Sequence, residues 1–200
     1  METEANTAEE MAGVDPLATR IADGDPSAPR ELVERHHAEL YRYALAMSRN
    51  VAAAEDAVQE AFERAFVALG RYPEERIRVL AIRAWLYRVT LNVVRNAWRD
   101  RNRELHLSEM PDGSGGRLGM ESELVPDGDR EAWLDTLEAL RRLPERQRVA
   151  VVLRYFQDLP YATISEITGW PEGTTKTLVR RGLGRLRALL VEPRLNGGNK

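Results

Sequence analysis

Cysteine is absent from this 200-residue chain, so no disulfide framework, thiolate metal site or cysteine nucleophile is open to it. Lysine is scarce as well: of 29 basic residues, only Lys176 and Lys200 are lysines. Aromatic residues make up 6%, thin filling for a β-sandwich but enough for small helical domains, and runs rich in Ala, Leu, Arg and Glu favour helix. No apolar run approaches the ~20 residues that cross a bilayer, and the acidic start METEANTAEEMAGVDP has no apolar centre of the kind a signal peptide needs. A cytoplasmic protein without membrane insertion is expected. Glycine-rich phosphate loops, a GxSxG turn and a nucleophile beside a base are all missing. His36 and His37 are adjacent, hence about 100° apart on a helix, and cannot share a metal as an i, i+4 pair does; His106 stands alone. Carboxylate pairs such as Glu9–Glu10 and Glu74–Glu75 sit in polar stretches and read as solvated surface. No cofactor, metal or enzymatic activity is expected.

What is present is a charge pattern. The net charge of −3 is the sum of alternating blocks: −8 over residues 1–60, −1 over 61–75, +7 over 76–103, −8 over 104–140 and +7 over 141–200. Fields near a surface follow local charge over a Debye length of ~8 Å, so the blocks matter more than the total. Arginine in both cationic blocks suits bidentate contacts to phosphate and guanine.

Apolar spacing divides the chain. Leu32, Leu40, Tyr43, Ala44 and Met47, then Val58, Phe62, Ala65 and Leu69, recur at helical intervals and predict two helices joined near SRNVA. Gly70 and Pro73 break the pattern, and a third helix is expected from about Arg78 to Arg101 with Leu80, Trp85, Leu86, Val89, Val93, Val94 and Trp98 on its apolar side. Residues 104–129, dense in Gly, Pro, Ser and acids, read as a flexible acidic linker. Four further helices are expected at about 130–142, 145–157, 161–168 and 171–190, with Pro144, Pro160 and Pro171 at or near starts. The fold class is therefore all-α: a tail over 1–13, a helical domain over 14–103, the linker, a second helical domain over 130–190 and a tail over 191–200. A coil of this linker's length spans on average ~25–30 Å, so the domains reach sites more than one DNA turn apart only if a third body holds the linker extended.

In the second domain, LPYATISEIT is a short helix with Ile164 and Ile167 inward, Gly169 permits a tight turn, and Pro171 opens a longer basic helix. That is a helix-turn-helix. At about 100° per residue, Val179, Leu183, Leu186 and Leu190 share one face, while Lys176, Thr177, Arg180, Arg181, Arg185 and Arg187 point elsewhere. Thr174, Lys176, Thr177, Arg180 and Arg181 are the candidate groove and phosphate contacts. The sequence alone offers no reason for two glycines, Gly182 and Gly184, inside this helix. In the first domain, Arg88, Arg95, Arg99, Arg101 and Arg103 interleave with Trp85, Tyr87 and Trp98. Cations around aromatic surface also suit single-stranded nucleic acid, because phosphates are neutralised while unstacked bases find planar partners.

LPERQRVAVVLRYFQDLPYATISEITGWPEGTTKTLVRRGLGRLRALL resembles region 4 of the extracytoplasmic-function, or group 4, sigma factors of the sigma-70 family; AEDAVQEAFERAFVAL (54–69) and RAWLYRVTLNVVRNAWRDRNR (83–103) resemble its region 2. The resemblance implies a promoter-specificity subunit of bacterial RNA polymerase. Its implied partners are promoter DNA, the core enzyme through the β′ clamp helices and the β flap, and an anti-sigma factor. By the same resemblance, Asp56, Gln59, Glu60 and Glu63 dock on the clamp helices. Trp85, Arg88, Asn92, Arg95, Asn96 and Arg99 engage the minus-10 element, with Asn92 lining a pocket for a flipped-out base, and the second domain reads the minus-35 duplex. The linker resembles the segment that threads the polymerase interior, which supplies the third body. Three positions depart from the family's pattern: Ser165 stands where Ala is frequent, Thr175 where an apolar β-branched residue is, and Leu178 where a base is. A stand-alone helix-turn-helix regulator is the competing expectation, and it requires tight palindromic DNA binding by the free protein.

Overall fold

The computed structural model describes the backbone of residues 15–48, 50–107 and 130–196, and side chains over 15–48, 50–99 and 132–190. The tail 1–13, linker residues 108–129, residues 197–200 and the side chains of Arg101, Arg103 and His106 lie outside the described residues. Every described element is helical: α1 (Pro16–Ala22), α2 (Ala28–Met47), α3 (Val51–Leu69), α4 (Glu74–Arg78), α5 (Ile82–Leu107), α6 (Arg130–Arg141), α7 (Glu145–Val151) running into a π-helical turn (Val152–Phe156), α8 (Tyr161–Thr168) and α9 (Glu172–Asn196).

Local chemistry sets the boundaries. Asn50 accepts a hydrogen bond from the Ala53 N–H at 2.8 Å and starts α3; Asp15 does the same for Leu17 ahead of Pro16 and starts α1. Pro73, Pro144 and Pro160 each cap a helix N-terminus, where a missing N–H costs nothing. Several features differ from expectation. The third long helix begins at Ile82 rather than Arg78, because Glu74–Arg78 forms its own short helix and Val79 leaves helical geometry. That long helix runs to Leu107, into the first four residues read as linker, and α9 runs to Asn196, past the expected start of the C-terminal tail. The helix expected at 145–157 loosens into a π turn after Val151.

The first lobe buries Leu32, Leu40, Tyr43 and Met47 of α2 against Val58, Phe62 and Ala65 of α3 and Leu86, Leu91, Val93 and Val94 of α5. The second buries Leu137, Leu140, Val149, Leu153, Ile164, Ile167, Val179 and Leu186. Each fully buried aliphatic side chain contributes roughly 1.5–3 kcal/mol.

The two lobes, expected as separate helical domains joined by a linker, are in contact. α2 packs on α6 and on the π turn, and α5 packs on α8. Arg141 Nε donates to the Ser48 carbonyl at 3.2 Å, just past the end of α2, where a cation faces the negative pole of the helix. Arg95 pairs with Glu145 at 3.1 Å, and the Arg148 guanidinium lies 4.9 Å from the Trp98 ring. Charge spacing alone separates the lobes; the structure joins them through hydrogen bonds that no local pattern announces.

Candidate nucleic-acid interface

The helix-turn-helix is built by punctuation. α8 ends at Gly169, whose φ of 73° and ψ of 13° place it in the left-handed region, where L side chains meet their own carbonyl and glycine does not. Ile164 and Ile167 are buried beneath α8, and Val179 and Leu186 beneath α9, with Leu183, Leu189 and Leu190 packed at the margin. Gly182 has a reason after all: a Cβ there would stand 2.6 Å from Cγ2 of Val151 and 3.3 Å from the Gln147 carbonyl oxygen, so its bare backbone permits the close crossing of α7 and α9. Gly184 faces open space, and nothing in the structure explains it.

This packing turns the polar side of α9 outward. Lys176, Arg180 and Arg181 are exposed, Thr174 and Thr177 half-buried. Lys176 pairs with Glu172 at 3.1 Å and lies 5.5 Å from the Tyr161 ring; the Thr177 hydroxyl donates to the Gly173 carbonyl at 2.9 Å. Arg180, Arg181, Arg185 and Arg187 are exposed, and none forms an ion pair among the described residues. Thr175 is fully buried, its hydroxyl 3.3 Å from the Pro171 carbonyl, and Leu178 is half-buried.

On α5, Trp85, Arg88, Asn92, Arg95, Asn96 and Arg99 fall within about 100° of arc at helical pitch. Leu86, Tyr87, Leu91, Val93 and Val94 take the opposite, buried side. Asn92 is exposed and holds no hydrogen bond among the described residues. Trp85 is half-buried, its ring 6.2 Å from that of Tyr72. Asn96 accepts a short hydrogen bond from Arg99. The other two members of the stripe reach the second lobe: Arg88 Nη2 donates to the Glu166 carbonyl at 2.5 Å, and Arg95, besides pairing with Glu145, lies 5.5 Å from the Trp170 ring. The six form one face, part of it covered by α8.

The third group lies on α3, where Asp56, Gln59, Glu60 and Glu63 are all exposed. Gln59 donates to Glu63 at 3.0 Å, and Arg64 donates to Glu60 at 2.6 Å. Sequence reading missed that this acidic stripe ends in two exposed apolar side chains, Phe66 at 36% and Val67 at 54% exposure. Continuing the helical arc one turn past Glu63 would have found them.

A buried polar network was missed entirely. Glu39, with a side chain only 15% exposed, accepts from Arg83 Nε at 2.9 Å and lies 2.6 Å from His36 Nδ1. The Tyr87 hydroxyl stands 3.1 Å from the same carboxylate and 2.6 Å from Oε1 of Gln157 in the second lobe, and Arg83 Nη2 also donates to the Gln157 carbonyl at 3.0 Å. Burial pushes the Glu39 carboxyl up, but the His36 contact and the Arg83 guanidinium outweigh it and hold the group below its ordinary value. Burial raises the Tyr87 hydroxyl well above the usual tyrosine range, so it stays a proton donor.

The chain is similar to known proteins in sequence and in fold. Residues 32–104 match the family described as Sigma-70 region 2, and residues 134–186 match Sigma-70, region 4. The chain is 31% identical over 179 residues to the ECF RNA polymerase sigma factor SigW of Bacillus subtilis, covering 86% of this chain and 93% of that protein. It is also 31% identical over 185 residues to the ECF RNA polymerase sigma factor SigM of Mycobacterium tuberculosis, covering 90% and 86%. In fold it is similar to the sigma factor RpoE in complex with the anti-sigma factor NepR from Bartonella quintana, with a TM-score of 0.69, 24% identity, and 82% and 97% of the two chains covered. CnrH in complex with the cytosolic domain of CnrY gives a TM-score of 0.62 at 24% identity, covering 87% and 94%. Among the described residues no helix is long and apolar enough to cross a membrane. With a basic helix-turn-helix behind an arginine-lined helix, and relatives matched over nearly their whole length, the chain belongs to the extracytoplasmic-function sigma factors of the sigma-70 family.

Proposed function

We propose a division of labour between the two lobes in bringing core RNA polymerase to its promoters. The α8–α9 helix-turn-helix reads the minus-35 duplex through Thr174, Lys176, Thr177, Arg180 and Arg181. The α5 stripe of Trp85, Arg88, Asn92, Arg95, Asn96 and Arg99 holds the minus-10 strand, and the α3 face of Asp56, Gln59, Glu60 and Glu63 meets basic side chains of the core enzyme. Acid-to-arginine pairing on α3 sets encounter rate and orientation, and the exposed Phe66 and Val67 add apolar contact. In this reading residues 108–129 are the tether, the β flap receives the second lobe, and the chain acts in the cytoplasm without a catalytic residue of its own. An anti-sigma factor that binds it, as RpoE is in complex with the anti-sigma factor NepR and CnrH with the cytosolic domain of CnrY, is its remaining partner.

What carries the reading is α9: four exposed arginines without an acid partner among the described residues, on a helix whose other face is locked by Thr175, Val179 and Leu186. Unpaired cations beside a tight helix-turn-helix are the electrostatic footprint of a duplex-binding surface. The deciding experiment is run-off transcription from a cognate promoter with purified core enzyme. Initiation that depends on this chain is the expected result; DNA binding without core-dependent initiation would reject the proposal.

A further inference from the structure

We propose that α1 is a brace for the approach to the minus-10 surface: it clamps α4, and α4 in turn fixes Tyr72 and Arg76 beside Trp85 at the head of the α5 stripe. The claim about strand binding rests on the role assigned above to α5; the clamp does not.

α1 precedes residues 32–104, which carry the region 2 match, yet it packs as tightly as the helices inside them. Leu17 and Ala18 are fully buried, and Ala22 is buried. Besides α2, the helix packed on α1 is α4, whose five residues fall far below the ~12–15 at which an isolated helix holds itself in water. α4 is therefore held by its packing, and its buried side chain, Ile77, joins Leu17 and Ala18 in one core. Polar contacts close the clamp. Arg78 Nη2, in the last turn of α4, donates to Asp23 at 2.5 Å, just past the end of α1. Arg20 of α1 donates to Asp25 at 2.8 Å and to the Ser27 hydroxyl at 2.8 Å, and pairs with Glu31 in the first turn of α2, so the brace is itself tied to α2.

The clamp holds a stacked group. The Tyr72 ring lies 6.2 Å from that of Trp85 and carries the Arg76 guanidinium 3.7 Å from its centroid. Arg76 is exposed and forms no ion pair among the described residues. A guanidinium laid on a ring is a planar cation, which offers a stacking face to an unpaired base and charge to its phosphate. Tyr72 stands just ahead of α4 and Arg76 within it, so their register against Trp85 depends on where α4 lies. A surface already held in its binding geometry binds more tightly than one that must first be ordered.

The test uses the full chain, alone and with core enzyme. Because the chain has no cysteine, Val79→Cys, at a 76% exposed position directly after α4, takes a single nitroxide label. Ala188→Cys, exposed on α9, takes a control label. Two substitutions loosen the clamp by different means: Leu17→Ala empties part of its core, and Asp23→Arg turns the pair with Arg78 into a repulsion. Leu17→Met keeps the volume. The electron paramagnetic resonance line should narrow at position 79 and not at 188 in Leu17→Ala and Asp23→Arg, and should match the parent in Leu17→Met. Unlabelled, the two loosened chains should bind core enzyme as the parent does. Their holoenzymes should bind a fluorescein-labelled non-template strand of the cognate promoter about tenfold more weakly, the size of one lost stacking contact. Thermal circular dichroism sets a temperature at which every variant is folded. A line at 79 that is unchanged in both variants, or narrowed equally at 188, would overturn the clamp. A line narrowed at 79 alone, with strand affinity unchanged, would overturn its part in strand binding. A parent holoenzyme that binds no strand rejects the α5 role and the strand-binding half with it, and the spin-label comparison then decides the clamp by itself.

Discussion

Gly182 and Gly184, two residues apart on α9, meet opposite surroundings, and their substitution separates backbone propensity from packing. Alanine in place of glycine inside a helix gains about 0.5–1 kcal/mol through propensity. At Gly184 nothing stands within 4 Å of the added Cβ, so Gly184→Ala should stabilise by about that amount. At Gly182 the Cβ meets Val151 Cγ2 at 2.6 Å and a backbone carbonyl at 3.3 Å. Val151 is fully buried and β-branched, so it has no rotamer to retreat into. Overpacking costs typically 1–3 kcal/mol, which exceeds the propensity gain, and Gly182→Ala should lower the melting temperature while Gly184→Ala raises it. Equal shifts by thermal circular dichroism would show that the α7–α9 crossing is not tight.

Elements were legible where their signals are local. The helix-turn-helix could be read because Pro160, Gly169 and Pro171 punctuate it within a dozen residues and the buried positions repeat at helical pitch; Ile164, Ile167 and Val179 all lie inside. α1 and α4 were not read, because seven and five residues show too few turns for a period to emerge. The π turn carries no composition of its own. Gly169→Ala should cost about 1–2 kcal/mol, the strain of a Cβ at positive φ, measured as a lower urea midpoint, and Gly169→Asn should recover part of it. On the DNA side, Arg180→Ala should weaken binding uniformly across sequences and reduce the slope of log K against log salt by about 0.9, the signature of one lost phosphate contact; a changed sequence preference would instead make Arg180 a base reader. Asn92→Ala should spare core-enzyme binding and impair open-complex formation, read by permanganate footprinting. Equal loss of both would remove the pocket role.

At the scale of the whole molecule, charge blocks and a long polar connector suggested two separate helical domains, and the helices of the two halves pack together. The contacts that join them are specified by pairs far apart in sequence, such as Arg83 with Gln157 and Arg141 with Ser48, and no window of sequence contains both partners. Glu39 is where this joining meets the titration of the chain. Its carboxylate faces His36 on its own helix and Arg83 and Tyr87 on α5, and its pKa in the folded chain lies below the ordinary value of 4.5. A carboxyl whose folded pKa is depressed contributes stability that is fully present above the unfolded pKa and is lost as pH falls through the folded one. Wild-type stability should therefore decline below about pH 4.5 more steeply than that of Glu39→Gln, which has nothing to protonate there. At neutral pH the variant should be less stable by roughly 1–3 kcal/mol, because it leaves the Arg83 charge without its counter-ion. Urea midpoints taken from pH 7 downward measure both quantities on the same pair of proteins. Asp25, whose hydrogen bonds from Ser27 hold it down to about 2, titrates in both chains and subtracts out. The gap between the two proteins should close as pH falls; a gap that stays constant would mean that Glu39 acts through shape and hydrogen bonding alone, and that its charge does not hold Arg83 in place.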